Sequence, residues 1–462
     1  MSTATRSVTS VDPTTGDQLA EYALSSPGEI DAALTRAAAA QTHWRRLSFD
    51  DRAAAIRAVA KELRARRDEG AALMTAEMGK TAREALAEID KSALACDHYA
   101  EHAAEYLAPQ QIDTDFKATY VQFEPLGVVL AVMPWNYPVW QVFRAGIPAM
   151  MAGNTMVLKH ASNVTGSALF VGSVFANAFS DLGLLEVLVV PGGEVASLIA
   201  DDRIAAVTLT GSESAGIQVA GECAKHLKKS VLELGGSDPF IVLADADVEA
   251  TARAAIGARF LNTGQSCIAS KRFIVIESIA EAFEEAFAAR AAELRMGDPR
   301  GDVDLGPMSR SDLRDELADQ VVRGVRAGGR VLTGGEVPEG PGAFYPPTVV
   351  AGVTRENVLA EEETFGPAAA VIRVRDADEA VAVANASRYG LSASIWTKND
   401  EHARALSGRL EAGSVFVNLP SVSDPRVPIG GVKRSGWGRE LGAWGIREFV
   451  NVQSVTVGPR AT

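Results

Sequence analysis

Cys267 stands in the segment FLNTGQSCIAS. A cysteine is ordinarily a small buried apolar residue, but here Gly264 permits a tight turn just before it, and Gln265 and Ser266 are polar. This setting places the thiol at a loop-to-helix junction, where backbone N–H groups favour a nucleophilic thiolate. Glu233, in VLELGGSDP, follows apolar neighbours and precedes Gly-Gly. At the end of a buried strand, desolvation would raise its pKa and fit it to act as a general base near neutral pH; a capping or salt-bridged Glu is the other reading. Asn136, in MPWNYP, is fixed between two prolines. An amide so held can donate to a developing oxyanion, an effect worth about 3 kcal/mol when one such donor is lost, although the same residue also suits a plain turn.

These side chains need a scaffold, and the sequence supplies its outline. From Gly127 to about Leu232, short apolar runs (GVVLAVM, NTMVLKH, LEVLVVPGG, AAVTLTG) alternate with helical stretches, which is the signature of βαβ units on a parallel sheet. A second alternating region begins near Ser237 (DPFIVL, KRFIVIE, GGRVLTGG, AAAVIRV, SASIWT, GSVFVN), so two α/β domains joined around ELGGSDP are expected. Lys159 ends the strand in NTMVLKH, the place where open α/β sheets bind ligands. In TGSESAG a strand runs into Gly211 and, five residues on, Gly216. Such a turn can offer N–H groups to a phosphate, but it is neither GxGxxG nor a P-loop. Ahead of this region three stretches (29–47, 51–79 and 80–107) carry Ala, Leu and Ile at helical spacing. KATYVQFEP and the final IREFVNVQSVTVG alternate as strands, the latter with nothing following it to pack upon and therefore suited to pair with another subunit.

The composition narrows the function classes. At 462 residues the chain exceeds the roughly 250 to 300 residues of a single core, so more than one domain is expected. A formal net charge of -14 argues against nucleic acid, whose binding depends on Lys and Arg at phosphates. The polar N-terminus lacks a secretory pattern, and no apolar run approaches the about 18 residues of a membrane span, so a cytoplasmic protein without a membrane partner is expected. Cys96, Cys223 and Cys267 form no CxxC pair, which suggests neither disulfides nor a thiolate metal site. His98 and His102 share a helix face, yet no third ligand accompanies them, and no metal is expected.

The segments PWNYP, VLKHAS, TGSESAG, ELGGSDP, NTGQSC, EEETFGP and PIGGVKRSGWGRE occur in the order and over the length found in the aldehyde dehydrogenase superfamily, which this sequence strongly resembles. The resemblance implies an α/β fold of two Rossmann-like parallel-sheet domains with a β-strand oligomerisation arm: residues 1–117 and 130–234 binding cofactor, 235–425 catalytic, 118–129 and 445–460 the arm, in a homodimer or homotetramer. It implies that Cys267 attacks an aldehyde to give a thiohemiacetal, that Asn136 and the Cys267 N–H hold the oxyanion, and that a thioester remains after hydride transfer to nicotinamide. Glu233 would activate the water that hydrolyses this thioester, which favours the hydrolytic branch over the CoA-acylating one. Glu363 and Phe365 would hold the nicotinamide ribose, with Trp135, Asn136, Lys159, His160, Ala161, Ser162, Gly211, Ser212 and Leu234 lining the remaining groove.

Where NAD-preferring members carry a Glu, three residues after Lys159, this sequence has Ser162. A neutral Ser beside Lys159 accepts the 2′-phosphate that a Glu repels, so NADP is expected in preference to NAD. LKHASNV, VLELGGSDPFIV, NTGQSCIASKRFIV and GGVKRSGWGREL resemble the short bacterial NADP-dependent succinate-semialdehyde dehydrogenases. That resemblance implies a cation for the substrate's distal carboxylate: Arg144 would face the substrate entrance, with hydrogen bonds from Ser421 and Ser423. A structural salt bridge is the alternative for Arg144. Leu261 stands where some relatives have an Arg, and Ala269 where some have a second cysteine, so no redox switch is expected in this loop. Two alternatives are another aliphatic or aromatic aldehyde as substrate, and a catalytically inactive relative with a structural or binding role. The latter predicts loss of Cys267, Glu233 or Asn136, and all three are present.

Overall fold

Ser26 and Thr81 start helices for the same reason. Each side chain accepts the N–H of a Glu three residues on, while that Glu's carboxylate reaches back to the cap N–H. The computed structural model describes residues 7–179 and 183–459. Residues 1–6 and 460, which the expected segments 1–117 and 445–460 include, lie outside the described residues. A hairpin of β1 (Ser7–Val11) and β2 (Gln18–Ala23) leads into α1 (Pro27–Trp44), α2 (Phe49–Ala65), α3 (Arg67–Met78) and α4 (Ala82–Tyr106). The continuous helical pattern of 51–79 is thus two helices, broken where Arg66 leaves helical geometry (φ -108°, ψ 24°).

After β3 (Gln110–Gln111) and β4 (Phe116–Pro125) come β5 (Val128–Met133), α5 (Trp140–Met151), β6 (Thr155–His160), α6 (Thr165–Phe179), β7 (Leu185–Leu188), α7 (Val195–Ala200), β8 (Ile204–Thr210), α8 (Glu213–Lys225) and β9 (Lys229–Glu233). The strands β9-β8-β5-β6-β7 lie parallel in that order. Their apolar runs are buried on both faces, because α2 to α6 cover one side and α1, α7 and α8 the other.

The second sheet is built from β10 (Asp238–Val242), α9 (Val248–Phe260), β11 (Ser270–Ile276), α10 (Glu277–Ala292), α11 (Ser311–Arg326), β12 (Arg330–Thr333), β13 (Thr348–Ala351), α12 (Val358–Glu361), β14 (Ala368–Val374), α13 (Ala377–Asn385), β15 (Tyr389–Gly390), β16 (Ser392–Trp396), α14 (Asp400–Ser407) and β17 (Ser414–Val417). Its order is β12-β13-β14-β11-β10-β16-β17, parallel throughout except at β12. The chain then returns to the first half. β18 (Val432–Lys433) pairs with β15, β19 (Gly436–Trp437) adds an antiparallel edge to β9, and β20 (Val450–Pro459) pairs antiparallel with β4 in a three-stranded sheet β20-β4-β3. Among the described residues no helix is long and apolar enough to cross a membrane, and no group of His, Cys, Asp and Glu is arranged to hold a metal ion.

Candidate active site

Segments from both sheets line one cleft of about 1150 Å³. Its walls are the segments leaving the C-terminal ends of β5 (Pro134 to Asn136), β8 (Gly211 to Ser214) and β9 (Leu234, Gly235), and those entering the N-terminal ends of β11 (Cys267), β14 (Glu361 to Phe365) and β16 (Ser387 to Tyr389). Parallel strands all end on one side, so loops distant in sequence converge there.

Cys267 sits in a turn that enters the strand β11. This corrects the expected loop-to-helix junction: a strand and not a helix follows the thiol. The approach to it is strained. Asn262 (φ 55°), Thr263 (φ 55°) and Gly264 (φ 70°) are successive left-handed residues, which costs about 1 to 3 kcal/mol for each non-glycine and persists only where the surroundings fix it. Here they do. The Asn262 N–H donates to Glu84 Oε1 (2.7 Å), its side-chain amide donates to the carbonyls of Asn136 (3.0 Å) and Gln265 (3.1 Å), and Gln265 Oε1 accepts from the Ser309 N–H (2.8 Å). At Gly264 a Cβ would come within 2.4 Å of the Gly366 carbonyl oxygen, so no larger residue fits.

Asn136 Nδ2 donates one hydrogen to the Gln265 carbonyl (3.1 Å). An amide nitrogen carries two, so the second is free toward the cleft. The Cys267 N–H donates to no acceptor among the described residues. Together they offer two donors to an oxygen next to the sulfur.

Glu233, the last residue of β9, is buried, and neither carboxylate oxygen has a hydrogen-bond partner among the described residues. Burial pushes its carboxyl up to about 8; Arg144 and Arg439 oppose the shift and Glu440 adds to it. The glycines of PIGG make room for it: a Cβ on Gly430 would come 2.9 Å from Glu233 Oε1. Burial also pushes the Cys267 thiol up to about 11, against Arg144 and Lys271 and with Glu233 and Glu363. The Cys267 side chain is therefore a neutral thiol at neutral pH, within electrostatic reach of a carboxyl held up to about 8.

Cations that the motifs did not single out organise this floor. Lys271 Nζ donates to the carbonyls of Ser266 (3.0 Å) and Cys267 (2.7 Å) and lies 3.3 Å from Glu363 Oε1, which also accepts the Gly236 N–H (3.0 Å). The nucleophile turn and Glu363 are thereby tied to one ammonium. On α4, Glu84 and Glu88 are one turn apart. Glu84 holds Asn262, while Glu88 accepts the Val139 (2.8 Å) and Trp140 (2.9 Å) N–H groups at the start of α5 and pairs with Lys80. One helix face thus positions both the Cys267 turn and the segment bearing Asn136.

The groove residues fall into two groups. Trp135 packs edge-on against Phe365 (5.6 Å between rings), and Gly211, Ser212, Leu234 and Glu363 line the same cleft. Ser212 caps α8, and a Cβ at Gly216 would strike the Leu234 side chain at 2.6 Å, so the helix start packs tightly on the end of β9. The size of the cleft and its pairing of aromatic walls, one carboxylate and a helix start suit a dinucleotide. Lys159, Ala161 and Ser162 lie at the end of β6, where Lys159 is in register with Val132 of β5, just before Trp135. Burial pulls the Lys159 ammonium below the usual lysine range. The side chain of His160 does not join them. It is buried, with Nε2 2.9 Å from the Pro138 carbonyl and Nδ1 accepting the Ala161 N–H (2.9 Å). His160 braces the PWNYP segment and is corrected from groove residue to support.

Arg144 is also corrected. It does not face the substrate entrance, because every residue of α5 is buried and Arg144 is only 2% exposed. Its guanidinium pairs with Glu440 and donates to Thr210 Oγ1 (3.1 Å); a buried guanidinium without such a partner would cost several kcal/mol. Ser421 is turned away as well. Ser392 Oγ contacts both Asp238 and Ser421 Oγ (2.7 Å), and its one proton goes to the carboxylate, so Ser421 donates its own to Ser392. Ser423 remains, accepting from Lys91 Nζ at 2.5 Å.

A model of the aldehyde dehydrogenase family matches residues 1–455. The chain belongs to the aldehyde dehydrogenase family. It is 48% identical to the succinate semialdehyde dehydrogenase (NAD(P)+) Sad of Escherichia coli (strain K12), over 96% of this chain and 97% of that protein. It is 46% identical to the probable succinate-semialdehyde dehydrogenase (NADP(+)) of Synechocystis sp., over 97% and 99%. Among solved structures, that of the succinic semialdehyde dehydrogenase from Streptococcus pyogenes in complex with NADP+ superposes with a TM-score of 0.95 at 37% identity, covering 98% of this chain and 100% of that one.

Within this aldehyde dehydrogenase, the residues that sequence reasoning missed are Glu440, Lys271, Glu84, Glu88 and Lys91. Glu440 lies at the end of the quoted segment PIGGVKRSGWGRE, so its motif was visible while its partner was not. The others sit in helical or strand patterns where a charge reads as solvent-facing.

Proposed function

We propose that this protein oxidises succinate semialdehyde, or a similar short aldehyde with a distal carboxylate, to the carboxylic acid, with NADP in preference to NAD. The observation that carries the reading is that Cys267 and Asn136 line one cleft with Trp135, Glu363 and Phe365, while the buried Glu233 lies within electrostatic reach of the Cys267 sulfur. Relatives over nearly the whole chain whose names specify succinate semialdehyde and NADP support the substrate and the cofactor.

In this reading the Cys267 thiol gives its proton to solvent water as its sulfur forms a bond to the aldehyde carbon, and the carbonyl π electrons move to the oxygen, which becomes an oxyanion. Asn136 Nδ2–H and the Cys267 N–H hold that oxygen. The bound dinucleotide supplies the hydride acceptor, which the carbon–hydrogen bond needs if the oxyanion is to collapse to a thioester. Glu233 then takes a proton from water as the water oxygen adds to the thioester carbon. The carbon–sulfur bond breaks, sulfur leaves as thiolate, and the product is a carboxylate. Lys159, Ala161 and Ser162 would receive the adenosine ribose, where a hydroxyl in place of an acid tolerates a 2′-phosphate. The strand β20 pairs with β4 and offers its other edge, which suits a homodimer or homotetramer.

The test is steady-state kcat/KM for succinate semialdehyde and for butanal, each with NADP and with NAD. The reading expects the semialdehyde with NADP to give the highest value. A higher value for butanal would overturn the substrate, and a higher value with NAD would overturn the cofactor.

A further inference from the structure

With Arg144 engaged by Glu440, the arginine expected to meet the substrate carboxylate is not available for it, and Lys91 is a second cation within electrostatic reach of Cys267. Lys91 projects from α4 on the face that already carries Glu84 and Glu88, one turn further along. Its ammonium lies 4.4 Å from the centre of the Trp140 ring and donates to Ser423 Oγ at 2.5 Å. It is close enough to Cys267 and Arg144 for their charges to interact with it.

Of the four cations Lys80, Lys91, Arg144 and Lys271 around the Cys267 turn, Lys91 alone lacks a counter-ion. Lys80 pairs with Glu88, Lys271 with Glu363 and Arg144 with Glu440, yet no carboxylate lies within 4 Å of Lys91 among the described residues. Its acidic neighbours are occupied elsewhere: Glu88 by Lys80 and by the start of α5, and Asp424 by Arg426. Burial, with Arg144 repulsion second, pulls its ammonium down to about 8. A largely buried cation without an anion is costly unless an anion arrives.

We infer that Lys91 and Ser423 form the subsite for the distal carboxylate of the substrate, Lys91 as the cation and Ser423 as a hydroxyl donor. Lys91 retains two N–H bonds beyond the one it gives Ser423, and Ser423, as acceptor, keeps its own O–H to give. Trp140 forms an aromatic wall that keeps the ammonium over the site and off solvent. The subsite rests on the substrate reading above and adds to it the residues that discriminate a semialdehyde from an uncharged aldehyde.

The experiment compares wild type, Lys91→Met, Lys91→Arg and Ser423→Ala on succinate semialdehyde and on butanal. A charged hydrogen bond of ordinary strength predicts that Lys91→Met loses at least about tenfold in kcat/KM for the semialdehyde, mainly through KM. Butanal turnover should change by less than about threefold, within the spread expected of a residue that does not touch that substrate. Lys91→Arg should recover part of the loss, and Ser423→Ala should show a smaller loss of the same selectivity. Thermal stabilisation by added succinate, present in wild type and absent in Lys91→Met, gives a second readout independent of turnover. Parallel losses on both aldehydes, or undiminished stabilisation by succinate in Lys91→Met, would overturn the assignment of Lys91. A wild type that does not prefer the semialdehyde would instead overturn the substrate reading, and the subsite with it.

Discussion

If Glu233 is the base of the hydrolytic half-reaction, its ionisation sets the pH dependence of turnover. The carboxyl is held up to about 8 because it is buried without a hydrogen bond, with Glu440 adding to the shift. Only the deprotonated form can take a proton from water, so turnover must rise with pH through that value rather than fall. With a pKa of about 8, roughly one eleventh of the molecules carry the base at pH 7 and about ten elevenths at pH 9, which predicts an increase of about tenfold in kcat. Replacing Glu233 with Gln keeps the volume and removes the base. The steady-state rate should then fall by about 10²- to 10⁴-fold and lose its rise with pH. Hydride transfer precedes this step, so a rapid-mixing experiment should still show a burst of reduced cofactor close to one per active site in Glu233→Gln. The reasoning is refuted if Glu233→Gln turns over at an undiminished steady rate. It is equally refuted if wild-type kcat is flat between pH 7 and 9 while the burst shows hydrolysis to be rate-limiting.

Two further outcomes follow from the same geometry. Ser162→Glu places a carboxylate beside the ribose position at the end of β6, and like-charge repulsion should lower the NADP-to-NAD ratio of kcat/KM by at least about tenfold; an unchanged ratio would show that Ser162 does not face the ribose. Lys271→Met removes a charge that favours the Cys267 thiolate and frees the carbonyls of Ser266 and Cys267, so alkylation by iodoacetamide at pH 9 should slow severalfold. Cys96 and Cys223 are buried, and the label therefore reports Cys267; equal rates in the two proteins would exclude Lys271 from tuning the thiol.

The parts of this molecule that could be read from sequence are those where one physical constraint acts locally. β5, β6 and β8 are buried on both faces, so their residues must be continuously apolar, and GVVLAVM, NTMVLKH and AAVTLTG announced them. Gly264 and Gly430 are required where a Cβ would strike a carbonyl or the Glu233 carboxylate, and such glycines make a motif recognisable. What could not be read depends on pairing across the chain. Arg144 and Glu440 each look like an exposed charge until α5 is seen buried all round with a carboxylate from the C-terminal segment against it. Glu84 and Glu88 read as the solvent face of an amphipathic helix, yet they cap a loop and a helix start. The residues before Cys267 suit a helix start as well as a strand entry, because polar residues and a glycine precede both kinds of junction; the pairing of β11 with β10 and β14 makes it a strand.

Arg144 shows why the Glu233 carboxyl is poised as it is. Its guanidinium faces two carboxylates, Glu440 at ion-pair distance and Glu233 within electrostatic reach. One positive charge cannot neutralise two buried negative ones, and the closer, directly bonded Glu440 has the stronger claim. Glu233 is thus left with burial as its dominant influence, opposed only by what remains of Arg144 and by Arg439. Had Arg144 bonded Glu233 directly, the carboxylate would be ionised at every physiological pH but too weak a base, its lone pairs already engaged. Had there been no arginine, burial without opposition would have held it protonated far above neutrality. The pairing of Arg144 with Glu440 places Glu233 between these limits, where it can both accept a proton from water and release it afterwards. An Arg144 turned to bind the substrate carboxylate would forfeit that balance. The same demand that buries the arginine beneath the floor therefore makes it unavailable to a substrate carboxylate.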